Sequence, residues 1–246
     1  MFFIVFSIIL AVSALITASL FLLRRRFGIP EKTEEHINPS VFSFFASLYA
    51  FFLGFAIVTL WSAYLHAKID VTREADSLLI AYRMSLSLPN SEPFRQALVD
   101  YIRSVVDDEW EQMENGSMSP KSSQNFDRVW DKLRQIKSDN YDFYAAIFSQ
   151  LSDASKQRLS RENLLEGNLY PPIWVIIVFG FISIIYGLYF NHIRQNAVKI
   201  AFNFMVLFLV LSCIFFIYDI NTPFSGYVVV KSGAFQTVLT KMMALH

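Results

Sequence analysis

Charged residues are almost absent from four long stretches of the chain and crowded between them. The stretch 41–66, VFSFFASLYAFFLGFAIVTLWSAYLH, holds no Asp, Glu, Lys or Arg and ends in Trp61 and Tyr64. A helix needs roughly 20 apolar residues to cross hydrocarbon, and amphipathic aromatics favour the boundary with water, so this stretch predicts a transmembrane helix. From Ala67 to Leu88 a helical pattern continues with no Pro or Gly to stop it. The span is therefore expected to run on into a water-exposed helix.

The other apolar stretches are Phe2–Leu23, Pro171–Phe190 and Ile200–Ile220. The first lacks a basic leading region, exceeds the roughly 7–15 apolar residues of a secretory signal, and is followed by Arg24, Arg25 and Arg26; it reads as an uncleaved anchor. The last two are joined by the short link NHIRQNAVK, which makes them antiparallel neighbours. Pro171 and Pro172 suit a first helical turn, where a missing N–H costs nothing. The predicted layout is two spans in 1–66, a helical extramembrane domain in 67–170, two spans in 171–220 and a tail in 221–246. The fold class expected is all-α: an integral membrane protein with four transmembrane helices and a helical extramembrane bundle between spans two and three.

Within the central region, apolar residues recur at helical spacing. Val71, Ala75, Leu78 and Tyr82 form one stripe, and Leu98, Tyr101, Ile102 and Val105 a second. Phe126, Val129, Trp130, Leu133 and Ile136 form a third, and Tyr144, Ile147, Phe148 and Leu151 a fourth. Ser91 before Glu92-Pro93 and Ser119 before Pro120 are N-cap signals, and Gly116 marks a break. A bundle of about four helices follows. The tail opens with a turn at Thr222-Pro223-Phe224 and Gly226, followed by a short β-branched run, Tyr227–Val230. Phe235–Leu245 then predicts an amphipathic helix at the membrane surface. Too short for a core of its own, the tail is expected to pack on the spans or on a neighbouring subunit.

Composition sharpens this picture in three respects. The 246 residues are 54% hydrophobic with 25 Phe, above the usual soluble range of about 45–50%. Formal net charge is zero, and no basic run with interleaved aromatics suggests nucleic acid. A single cysteine, Cys213, rules out an internal disulfide and reads as a membrane-buried packing residue. Basic residues give an orientation: Arg24, Arg25, Arg26 and Lys32 follow span one, and Arg194 and Lys199 lie between spans three and four. Those loops share one side, which the positive-inside rule makes the cytoplasm, so the helical domain is expected outside it. A multi-pass protein of a bacterial cytoplasmic membrane is expected.

Candidate chemistry is sparse. The run Asp107-Asp108-Glu109-Trp110-Glu111, with Glu114, could attract a hard cation, but no Gly-containing loop encloses it and it reads as a solvated helix face. His36, His66, His192 and His246 fall in separate regions with no ligand spacing, so no metal site or cofactor is expected. No GxSxG, P-loop or GxGxxG motif points to an enzyme. Polar groups inside spans carry the opposite presumption. Asn203 is either an interhelical hydrogen-bond partner or a pathway residue, and Asp219 either a pathway residue or one that reaches headgroups. Ser47, Phe51 and Phe55 recur every four residues on one face of the second span. Around a symmetric oligomer they would stack as rings that gate by dewetting; otherwise they pack against lipid or helices.

The segment Phe51-Phe52-Leu53-Gly54-Phe55 resembles the Phe-x-Leu-Gly-Phe segment of the narrow neck of bestrophins, pentameric anion channels with four transmembrane segments and a helical extramembrane region. The chain is also similar, over about residues 40–240, to the bacterial bestrophin-like family of four-span proteins. Glu74-Ala75, Glu109-Trp110, Arg158-Leu159, Pro171 with Trp174, and Asp219 followed by Pro223-Phe224 and Gly226 carry that similarity. The resemblance implies that Phe51 and Phe55 line a neck, with Ser47 in the place of a third, bulkier apolar residue. It implies a homo-oligomer, a pentamer by analogy, that passes an anion and contacts membrane lipid. Leu48 stands where bestrophins have a helix-bending Pro, and Ser225-Gly226-Tyr227-Val228 replace the acidic calcium clasp, so calcium gating is not implied. Bestrophins hold their large helical region in the cytoplasm, opposite to the side the basic loops give here. A bestrophin-like ion channel is thus the leading expectation. The alternative is a non-conducting membrane-anchored sensor or assembly subunit whose helical domain binds a protein partner.

Overall fold

The computed structural model describes residues 2–27, 39–136, 141–190 and 197–245. Expectations placed on Lys32, His36, His192, Arg194 and His246 lie outside the described residues. Among the described residues, four helices are long and apolar enough to cross a membrane. They are α1 (Phe2–Phe27), α2 (Pro39–Ser85), α7 (Pro171–Phe190) and α8 (Ala197–Ile220). The expected continuation of span two is present: α2 is one helix of 47 residues, about 70 Å at 1.5 Å per residue. It ends where Pro89 and the left-handed Asn90 (φ 56°) turn the chain.

One compact unit comprises Met1–Trp61 and Leu169–Asn221. Here α1 lies along α8, with Phe6 edge-on to Phe208 at 5.3 Å. Ser13 and Thr17, buried on α1, donate to Ile9 O and Ser13 O at 2.8 Å each, so their hydroxyls enter a low-dielectric interface already satisfied. The inner face of α2 buries Tyr49, Leu53, Ala56 and Leu60. Tyr49 Oη donates to Ile177 O of α7 at 2.8 Å. A methyl group on Gly180 or Gly187 would overlap the rings of Tyr49 and Phe42, so α7 meets α2 through residues without side chains. Asn221 Oδ1 accepts from Leu169 N at 2.7 Å, tying the entry of α7 to the exit of α8.

The second unit comprises Ser62–Asn168 and Thr222–His246. The remainder of α2 joins α3 (Glu92–Ser104), a π turn (Val105–Glu109), α4 (Trp110–Glu114), α5 (Pro120–Gln135), α6 (Tyr141–Asn163) and α9 (Gly233–Ala244). Its core contains Val71, Ala75, Leu78, Tyr82, Leu98, Tyr101, Ile102, Val105, Phe126, Val129, Leu133, Ile147 and Leu151, as the four stripes predict. Phe148 departs from its stripe and is exposed, edge-on to Trp130 at 5.3 Å. Ser119 caps α5 as expected, accepting from Ser122 N at 3.2 Å. Ser91 is the N-cap residue of α3 as expected, but its hydroxyl makes no capping bond; shared between Ser85 O and Leu88 O, it closes the preceding turn instead.

The tail corrects one expectation: α9 does not lie on a membrane surface, because Phe235, Val238 and Met242 are buried in the core of this second unit. The amphipathic period is as expected, but an apolar stripe specifies burial without naming the surface that covers it.

Candidate functional site

Ser47, Phe51 and Phe55 lie together on the outward face of α2. Phe51 is 71% and Phe55 63% exposed within the single chain, far from the burial expected of Phe in a packed helix pair. Both help to line an open apolar groove of about 360 Å³, with Leu48, Phe52, Ile176 and Phe179 among its other walls. Ser47 is exposed beside the groove, and its hydroxyl donates to Ser43 O at 2.9 Å. The bond satisfies the hydroxyl within its own helix, so Ser47 tolerates either lipid or water.

Asn203 is placed elsewhere: buried on α8, it borders a pocket of about 10 Å³ with Thr17, Leu20 and Phe21 of α1 and with Leu188 and Tyr189 of α7. That is room for one water at most, so Asn203 is an interhelical residue rather than part of the Phe51–Phe55 face. Asp219 is buried at the end of α8.

The most highly charged site was not foreseen as one. Glu74 of α2, Glu109 of the π turn, and Arg158 and Arg161 of α6 meet inside the second unit, all buried. Arg161 grips Glu74 with two bonds, Nε to Oε2 at 3.0 Å and Nη2 to Oε1 at 3.1 Å, and reaches Glu109 Oε1 through Nη1 at 2.6 Å. Arg158 Nη1 donates to both Glu109 oxygens at 2.7 and 2.9 Å. Tyr101 closes the circuit: its hydroxyl donates to Glu74 Oε1 at 2.7 Å and accepts from Arg158 Nη1 at 3.1 Å. Aromatic rings cover the guanidiniums, Trp110 and Phe235 over Arg161 at 5.2 and 5.6 Å, and Tyr101 and Phe126 over Arg158 at 5.6 Å each.

Two carboxylates and two guanidiniums balance, which is what allows four charges to leave water. Burial pulls the Arg161 guanidinium down, but Glu74 and Glu109 outweigh it and hold its pKa above the ordinary value. The Tyr101 phenol is pushed well above its ordinary value of 10.0, by burial first and then by the Glu74 carboxylate. Hydrogen-bonded to one another and roofed by rings, these groups fix elements in place; they present no free nucleophile.

The solvated-face reading of the acidic run is therefore corrected at Glu109. Asp107, Glu111 and Glu114 are exposed, but Glu109 continues the buried face of Leu98, Tyr101, Ile102 and Val105 at helical spacing and lies in the core. Part of the cluster was legible. Glu74 interrupts the Val71–Ala75–Leu78 stripe, and Arg158 and Arg161 extend Ile147–Leu151–Ala154 at the same helical spacing.

These features define a polytopic, all-helical membrane protein with a charge-pinned extramembrane unit. A Bestrophin-like domain model matches residues 8–235, and the chain belongs to that family. Among solved structures it is similar to a bacterial bestrophin homologue from Klebsiella pneumoniae, with a TM-score of 0.74 and 14% identity over 97% of each chain. A point variant of that homologue gives a TM-score of 0.76 at 13% identity, again over 97% of each chain. A further membrane protein gives 0.73 at 12% identity, over 98% of this chain and 97% of that one. No curated protein sequence matches the chain. At these identities the structures establish a shared fold; the family match and the four long apolar helices make the chain a multi-pass membrane protein.

Proposed function

We propose that this protein is a homo-oligomeric ion channel of a bacterial cytoplasmic membrane, selective for anions, with α2 lining the pore. The observation that carries the reading is the outward face of α2, where Phe51 and Phe55 stay exposed while Tyr49, Leu53, Ala56 and Leu60 are buried on the inner side. Repeated around an axis, Phe51 and Phe55 form two apolar rings that close to water by dewetting, with Ser47 a ring beyond them. Phe ring edges carry positive partial charge, which favours an anion over a cation at such a constriction. The bestrophin-like family and fold support this assignment.

The test is chloride flux from liposomes holding purified protein, alongside the subunit count in mild detergent. Phe51→Ala with Phe55→Ala should raise flux at an unchanged subunit count. Unchanged flux, or a monomer, would refute a central neck and leave a membrane-anchored protein whose helical unit binds a partner. Gly54→Ala supplies a control, because a methyl there meets nothing within 4 Å in the single chain. A changed subunit count in that variant would place a second copy against this face.

A further inference from the structure

We propose that the C-terminal segment Thr222–Leu245 is a strap whose lifting admits water to the Glu74–Glu109–Arg158–Arg161 cluster and loosens α2 from it. The inference goes beyond conduction and does not depend on it. Its basis is where the strap touches the unit. Phe235 of α9 lies over the Arg161 guanidinium at 5.6 Å and packs at 5.6 Å against Trp110, the other ring on Arg161. Trp110 is held by the strap in turn: its indole Nε1 donates to Val230 O at 3.0 Å, and its ring meets Phe224 edge-on at 6.2 Å. Both rings roofing Arg161 thus depend on the strap, one by belonging to it and one by leaning on it.

Three features make the strap a separable element. The segment between Thr222 and Ser232 has no regular secondary structure, and its backbone bonds Ser225 N to Thr222 O and Val230 N to Pro223 O are internal to it. Helix α9 has 12 residues and a Ser232 N-cap that makes no side-chain capping bond, so it is too short to persist once detached. The strap also fits α4 loosely: a groove of about 340 Å³ lies between them, walled by Trp110, Glu114, Phe224, Val229 and Lys231. Lifting uncovers the apolar stripe Phe235–Val238–Met242 together with Phe224, Val230 and the face of α3 against which α9 packs, while α5 and α3 remain packed on each other. Once wet, the Arg161–Glu74 pair exchanges its bonds with water, and the hold on α2 weakens.

Hydrogen–deuterium exchange of the whole protein in detergent tests this. Amides of α9 should exchange about tenfold or more faster than those of α3 and α5, through a sub-global opening. Phe235→Ala should accelerate α9 further and carry the amides around Glu74 and Arg161 with it. Val238→Ala removes strap packing without touching the ring over Arg161, and should accelerate the same two segments. The proposal is overturned if α9 exchanges at the common rate of the core. It is equally overturned if Val238→Ala quickens α9 and leaves the Glu74 and Arg161 segments unmoved.

Discussion

Replacing Arg161 with Met keeps much of the side-chain volume and removes the charge, leaving Glu74 and Glu109 to share Arg158 in a site none of them can leave. Arg161 is fully buried and makes two bonds to Glu74 and one to Glu109. Breaking a buried pair by deleting one partner costs about 3–5 kcal/mol, most of it the stranded carboxylate. Against a domain stability of about 5–15 kcal/mol that is roughly a fifth or more, equivalent to a drop of about 10 °C or more in Tm. Thermal unfolding in detergent, followed by tryptophan fluorescence, reads it directly, because Trp110 stacks on Arg161. Glu74→Gln alone should also destabilise, since it leaves two guanidiniums facing one carboxylate. The double variant restores the balance as Arg158 with Glu109, so it should lose less than the sum of the singles, by about 1–3 kcal/mol. Additive losses, or an Arg161→Met protein melting within about 2 °C of the parent, would refute the account of a charge-balanced quartet.

Three further outcomes are expected. The raised Tyr101 pKa means that the fold holds the neutral phenol, so its contribution is complete below the ordinary value of 10.0 and lost as pH rises beyond it. Stability should decline above about pH 10, less steeply in Tyr101→Phe, which itself costs about 1–3 kcal/mol at neutral pH by leaving Glu74 short of a donor; an identical alkaline slope in both proteins would contradict this. Gly180→Ala should destabilise by about 1–3 kcal/mol, because its methyl meets a Tyr49 ring anchored to Ile177 O, and a melting curve matching the parent would contradict it. On the orientation expected from the basic loops, with the helical unit outside the cytoplasm, a cysteine replacing the exposed Lys121 in a Cys213→Ser background should react with an impermeant maleimide in intact cells. Labelling only after permeabilisation would put the unit inside.

Much of the fold was legible because a membrane simplifies the code. A long uncharged stretch has few structures open to it besides a helix, so α1, α2, α7 and α8 follow from composition, and the unbroken pattern after Leu65 foretold the length of α2. The extramembrane stripes were legible for the usual reason, period 3.6 with caps at the ends. What stayed hidden depends on register and on partners distant in sequence. Glu109 stands at helical spacing from Tyr101 and Val105, but what sets it apart from its solvated acidic neighbours is the pairing with Arg158 and Arg161, about 50 residues away in sequence. The destination of α9 was hidden too: an apolar stripe covers a membrane or a protein core equally well, and only Trp110, Arg161 and their rings decide between them. The Ser47–Phe51–Phe55 face was found by spacing, while its outward aim follows only once Tyr49, Leu53, Ala56 and Leu60 take the buried side of α2.

Why a fold keeps two arginines and two glutamates dry follows from what apolar contacts leave undecided. Ala67, Val71, Ala75 and Leu78 recur with the helical turn, so a one-turn shift of α2 would still present apolar residues to the same partners. Glu74 forbids the shift. A one-turn slip of about 5.4 Å would pull its carboxylate away from Arg161 Nε and Nη2 and strand it among core side chains. Apolar replacement of all four charges would leave stability nearly unchanged or higher, so the quartet is better understood as a pin on register than as a source of stability. The Glu74–Arg161 cycle bears on that distinction: a large coupling with unchanged helix content is the signature of a pin, whereas two independent losses would describe ordinary packing.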